Sequence, residues 1–204
     1  MKRKLFNKFS GALKVSIATQ RDQPNKELTT VLLLAPDELP RSGWTVDLEQ
    51  DMPTHAFSKG RYPEIERAKT INSTASRRLF HKDSDSGSIL IEVAPLANAA
   101  DAESWVTSTN ERVKRIMSKL SDLKDFRDLD DVIVPGVQTG CAMEYSMTVK
   151  NGMRSTLGLA ASADAIYVLV RCSSTDNAWS IEDVVEIVGL QIEKIKAVQG
   201  AGNS

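Results

Sequence analysis

Between residues 141 and 172 apolar side chains recur at every second position, and no other feature of this chain constrains its fold so tightly. Cys141, Met143, Tyr145, Met147 and Val149 alternate with Ala142, Glu144, Ser146 and Thr148. Met153, Leu157, Leu159 and Ala161 follow, and Ile166, Val168, Val170 and Cys172 complete the run. Successive side chains of a strand point to opposite faces, so this period means β-structure, and the turn residues between the runs make a meander of three strands. A helix comes next, over residues 180–198: Ser180 stands at its N-cap with Asp183 in the capping-box position, and Val184, Val185, Val188, Ile192 and Ile195 recur at helical spacing. A sheet of hairpins followed by a helix with one apolar stripe defines an α+β fold.

Loop length decides which residues stand opposite one another, and a slip of one residue turns a strand over. If the meander has one apolar face and one mixed face, the first hairpin needs a loop of Lys150, Asn151 and Gly152, with Gly152 left-handed in a bulge. That register sets Tyr145 against Leu157 and Cys141 against Ala161. A loop over residues 162–165 then sets Leu159 against Val168. Cys172 falls about six residues along the sheet from Cys141, roughly 20 Å at the rise of a strand, so both cysteines are expected as free thiols.

Upstream, Trp44, Val46 and Leu48 alternate with Thr45, Asp47 and Glu49, which predicts a half-buried strand. Residues 50–74 read as a long irregular passage. Further strands are expected at 75–81 and 88–94, joined by a polar hairpin loop, and a helix over 101–120 with Ala102, Trp105, Val106 and Val113 on one face. The sum is an antiparallel sheet of about six or seven strands, with the C-terminal three-strand meander, packed against two main helices. The division is a basic amphipathic segment and linker at 1–28, a single α+β domain at 29–199 and a disordered tail at 200–204.

Charge is distributed unevenly. Residues 1–21 hold Lys2, Arg3, Lys4, Lys8, Lys14 and Arg21 and no acid, which leaves the remainder with 20 basic and 27 acidic groups. An acidic body makes a nucleic-acid face improbable on electrostatic grounds. Leu5, Phe6, Phe9, Leu13 and Ile17 form a stripe on a helical wheel of the head. Such a stripe suits packing on the protein's own sheet or on a sister subunit, and weak contact with an anionic membrane surface is the alternative. No apolar run reaches the ~18 residues of a membrane span, and the basic head lacks the apolar core of a secretory signal. The expectation is a cytoplasmic protein, peripheral to a membrane at most.

No nucleophile elbow, P-loop, dinucleotide fingerprint or calcium loop is present. Two cysteines and two histidines are too few for a Cys/His metal site, so no metal, cofactor or catalytic residue is assigned. The back of the meander is the candidate ligand surface. Gly158 and Ala160 leave room there for a flat ligand, Tyr167 and Leu169 would line a pocket, and Glu144, Arg154 and Arg171 would rim it. A covering helix is the plainer alternative. On the long loop, His55, Phe57 and Tyr62 are candidates for contact with a partner protein.

The stretch Leu32-Leu33-Leu34-Ala35-Pro36-Asp37-Glu38-Leu39-Pro40 with Gly43-Trp44, and Ile91-Glu92-Val93-Ala94-Pro95 leading into Ala99-Ala100-Asp101-Ala102-Glu103, resemble small uncharacterised actinobacterial proteins over residues 31–198. The element order is similar to the antiparallel α+β domains that include PsbP, Mog1 and actinobacterial lipoprotein and kinase sensor domains. The resemblance implies a binding or sensory module and carries over no catalytic residues. The functional expectation is therefore a non-catalytic binding or scaffolding module for a small apolar or amphipathic ligand or a partner protein. A membrane-surface adaptor working through the head, and an enzyme using Glu144 with Arg154 or Arg171, are the alternatives.

Overall fold

The computed structural model describes residues 32–53, 74–82, 87–118, 123–129, 132–137, 139–149, 152–176 and 178–201. Seven strands, β1 (Thr45–Pro53), β2 (Thr74–His81), β3 (Gly87–Pro95), β4 (Leu123–Leu129), β5 (Gly140–Val149), β6 (Gly152–Ala163) and β7 (Ile166–Ser174), form one antiparallel sheet in the order β1-β2-β3-β7-β6-β5-β4. Among the described residues three α-helices join it: α1 (Ala99–Thr107), α2 (Thr109–Met117) and α3 (Ile181–Ala201). After β3 the first two helices carry the chain to the far edge, and hairpins bring it back until β7 lies beside β3. The α+β class, the strand number and the meander are as the sequence predicts.

Local chemistry explains the element ends. Asn98 caps α1 by accepting from the Asp101 N–H at 2.9 Å. Ser180 and Asp183 form the reciprocal box at the start of α3, with contacts of 2.9 and 3.3 Å. The expected single helix over 101–120 is broken at Ser108. Hydroxyls of Ser108 and Thr109 donate to the Ser104 and Trp105 carbonyls at 2.7 Å each, and such back-bonding competes with the helical ladder. Helix α3 runs on through Gly200 to Ala201, so the first part of the expected tail is helical. β4 goes unforeseen because Lys124, Asp125, Arg127 and Asp128 hide its alternation, and charge of this kind suits an edge strand.

The register of the meander departs from expectation, and the departure reassigns its faces. Val149 pairs with Gly152, so Tyr145 stands opposite Thr156, Glu144 opposite Leu157 and Met143 opposite Gly158. Gly152 does take a positive φ of 131°, as the first paired residue of β6. Tyr145 and Leu157 consequently lie on opposite faces of the sheet. On the next hairpin Leu159 pairs with Val170 and Leu157 with Cys172, a shift of two residues that preserves the faces. The tight connection there holds Asp164 at φ 50°, a conformation that Asp tolerates better than most residues. The expected register assumed one apolar face, whereas the sheet has apolar cover on both.

One face packs under α3. Ile89, Ile91 and Val93 of β3, Leu159 and Ala161 of β6 and Val168, Val170 and Cys172 of β7 meet Val184, Ile187, Val188, Ile192 and Ile195, all buried. Leu32, Leu33 and Leu34 close this layer, anchored by polar groups that catch their backbone. Gln191 donates to the Leu32 carbonyl at 2.5 Å and accepts from the Leu34 N–H at 3.1 Å. Arg78 donates to the Leu34 carbonyl at 2.6 Å and pairs with Glu49. Arg78 is thus a buried clamp. The opposite face packs under α1, where Ala102, Trp105 and Val106 meet Met143, Tyr145, Ala160, Tyr167 and Leu169.

Candidate functional site

The expected ligand surface is closed. Tyr167 and Leu169 are buried beneath α1; the Tyr167 ring meets Trp105 edge-on at 5.5 Å, and its hydroxyl lies 3.1 Å from Thr109 Oγ1. A Cβ placed on Gly158 would sit 3.2 Å from Met143 Cγ and 3.3 Å from Arg171 Cγ, so neighbouring side chains already occupy the space left for a ligand. Arg171 stays on this face, 3.8 Å from the buried carboxylate of Glu92. Burial opposes the Arg171 charge, but Glu92 and the nearby Tyr145 outweigh it and the guanidinium is held protonated.

Glu144 is on the other face, because β5 is turned over relative to expectation. It pairs with Arg127 and lines a cavity of about 170 Å³ with Ser155, Leu157, Cys172, Ser174 and Trp179. Arg154 is exposed on the face opposite to Glu144. The acid-with-arginine arrangement of the enzyme reading is therefore not assembled. His55, Phe57, Tyr62 and the head at 1–21 lie outside the described residues. Cys141 and Cys172 are free thiols, and they stand on opposite faces.

The larger opening is elsewhere. A cleft of about 510 Å³ lies between α2, the end of β4, residues 132–133 and the start of β5. Asn110, Glu111 and Asp128 give it a polar wall, and Leu129, Val132, Ile133 and Ala142 an apolar one, with the Cys141 thiol between them. Asn110 ties α2 to the sheet through its amide, which donates to Asp128 Oδ1 at 2.7 Å and to the Ala142 carbonyl at 3.0 Å. Lys114 holds the same carboxylate at 2.6 Å and Glu111 at 3.0 Å, over the Phe126 ring. These contacts raise the Lys114 ammonium above its ordinary value, led by the bond to Asp128. Burial pushes the Cys141 thiol up; the Asn110 backbone N–H pulls against this and Asp128 adds to it, leaving a net rise. A thiol held protonated is a poor nucleophile.

Sequence reading missed this site because two of its walls, the end of β4 and residues 132–133, come from segments without periodic pattern. Ile133 was the available signal: a large aliphatic residue in a stretch of no regular structure, 83% exposed in the fold. Among the described residues no group of three His, Cys, Asp or Glu could hold a metal ion, and no helix is long and apolar enough to cross a membrane.

The fold defines an antiparallel α+β domain with helices on both faces, and it has solved counterparts. The extracellular domain of PknH from Mycobacterium tuberculosis is similar with a TM-score of 0.55 at 11% identity, covering 83% of this chain and 95% of that one. A putative uncharacterised protein from Mycobacterium smegmatis, the Rv0999 ortholog, is more distant, with a TM-score of 0.42 at 7% identity over 75% and 89% of the two chains. The first likeness is one of fold; the second carries no argument. Neither is a PsbP or Mog1 protein. No protein-family model and no curated protein matches the chain.

Proposed function

We propose that the chain is a non-catalytic binding module whose ligand, a small amphipathic molecule, sits in the cleft between α2 and the β4–β5 edge. The observation that carries this reading is a cleft of ligand size with one apolar and one polar wall, on a sheet whose two faces are otherwise covered at the centre. The titratable groups in the cleft suit binding better than chemistry: Asp128 is neutralised by Lys114, and the Cys141 thiol is shifted away from its nucleophilic form. The fold is shared with an extracellular domain, that of PknH.

The neutral fluorophore N-phenyl-1-naphthylamine tests the reading. Its emission should rise saturably with the full chain, and Gly140→Trp and Ile133→Asp should weaken that binding. A Cβ on Gly140 makes only ordinary contacts, the nearest being the Val132 carbonyl at 3.6 Å, so the first variant adds bulk at the cleft wall without forcing the backbone. Absence of saturable binding, or binding indifferent to both variants, overturns the proposal.

A further inference from the structure

We infer that the cavity beside Trp179, at the end of the sheet face under α3, is a second site, which takes a small neutral polyol bearing adjacent hydroxyls. It shares no lining residue with the cleft and does not depend on the reading of that cleft. The sheet itself marks the place. Along β6 and β7 the face under α3 is apolar through Ala161, Leu159, Val168 and Val170, and then turns to serine: Ser155 pairs with Ser146 on one side and with Ser174 on the other. The change gives up apolar burial where the sheet is still covered, because Ser174 is only 2% exposed and Cys172 not at all.

Trp179 is the covering group. Helix α3 starts just after it, at Ile181, and the indole lies over Gly87, where a Cβ would stand 3.4 Å from its Nε1. Gly87 completes the serine row by pairing with Ser174. The indole N–H donates to the Ser173 carbonyl at 3.3 Å, the ring stacks on Trp44 with centroids 5.7 Å apart, and the Arg41 guanidinium stands 5.0 Å from its centroid. A wall fixed by three contacts loses little further freedom when a ligand arrives.

The lining specifies the ligand. Ser155 Oγ makes no hydrogen bond among the described residues, and Ser174 Oγ accepts from the Ala178 N–H at 3.0 Å, which leaves its own O–H to donate. Glu144 receives Arg127 on Oε2, so Oε1 remains an acceptor. The same ion pair offsets the charge of Glu144, and a cation is not favoured over a neutral donor. Leu157 and Cys172 form an apolar floor, where burial pushes the Cys172 thiol up and keeps it neutral. A short carbon chain with adjacent hydroxyls fits this set: its O–H groups donate to the carboxylate and exchange bonds with the serines, and its C–H groups lie on the floor. The volume of about 170 Å³ holds roughly six water shares of ~30 Å³ each, the size of a three-carbon polyol.

Glycerol titrated into the isotope-labelled full chain tests the inference by nuclear magnetic resonance. The indole N–H resonance of Trp179 should move saturably, with half-saturation in the millimolar range, while that of Trp105, packed under α1 on the opposite face, stays in place. Glu144→Gln should weaken the binding about ten-fold and Ser155→Ala about three-fold. The second variant, at a half-buried position with no printed partner to lose, keeps the test intact should the first disturb the pair with Arg127. Glucose, too large for the cavity, should leave the resonance unmoved. No saturable movement means that water alone fills the cavity and overturns the inference. Equal movement with n-propanol, binding indifferent to both variants, or tighter binding of ethanolammonium or glucose than of glycerol also overturns it. None of these outcomes bears on fluorophore binding in the cleft, so the two readings fail separately.

Discussion

The two faces of the sheet are packed on different principles. Under α3 the contact is mainly aliphatic, with Ile187, Val188 and Ile195 fully buried in one layer with Val168 and Val170 and with Phe80 and Trp44 as its aromatic members, and its polar groups, Gln191 and Arg78, hold backbone. Under α1 the layer mixes aromatic and charged groups: Tyr167 and Trp105 in contact, Glu92 buried near Arg171, and Arg112 buried where it donates to the Trp105 carbonyl at 2.6 Å. Hydrophobic burial is non-directional and tolerates modest slippage, whereas hydrogen-bonded and charged groups hold only at particular positions. The first face therefore stabilises the domain, and the second fixes where α1 and α2 sit. The cleft opens beside the second, along an element that Asn110 and Lys114 pin to Asp128.

Substitutions on each face should separate these roles. Ile187→Ala removes a fully buried side chain from the aliphatic layer and should cost about 3 to 4 kcal/mol in urea denaturation. A loss below about 1 kcal/mol would mean that α3 is not the main stabilising contact. Glu92→Gln leaves Arg171 without its countercharge and should cost about 2 kcal/mol, discounted because the Arg171 side chain is one quarter exposed. The paired change Glu92→Leu/Arg171→Leu should recover part of that loss; strict additivity of the single variants would show that the two charges do not interact. Tyr167→Phe keeps the ring against Trp105 and removes the hydroxyl that meets Thr109, for a loss of about 1 kcal/mol.

The smallest effect concerns acid. Burial works to raise the Glu38 carboxyl, but Lys194 and the Ala35 N–H outweigh it and hold it below its ordinary value of 4.5. A carboxylate lowered in the folded state contributes stability that is complete above its unfolded value and disappears as pH falls through the folded one. Glu38→Gln should therefore lower the neutral plateau slightly and flatten the profile below about pH 4.5, where the two proteins converge. An acid limb of undiminished slope would locate the acid sensitivity elsewhere, with the charged groups of the α1 face the next to examine.

Much of the fold is legible in the residues. The meander announces itself by period two and α3 by its capping box and stripe, because each signal is repeated over many positions and agrees with its neighbours. β4 and the break at Ser108 are hidden for local reasons: charge on an edge strand erases alternation, and hydroxyls that compete with the helix backbone leave the apolar spacing intact. The candidate site was read least well. Tyr167, Leu169 and Gly158 look like a ligand wall in sequence, since small and aromatic residues on a strand fit a pocket and a helix interface equally. The sequence contains no statement of what lies opposite.

The residues between 141 and 172 determined by themselves that a three-strand meander exists, because strand periodicity is a property of consecutive side chains. Whether Tyr145 and Leu157 share a face was decided by the tertiary structure. Both faces of the sheet are covered, so burial rewards either orientation of β5, and only the packing of Met143 and Tyr145 under α1, with Ala142 in the layer under α3, selects one. The same selection filled the space beside Gly158 and left the opening at the β4–β5 edge instead.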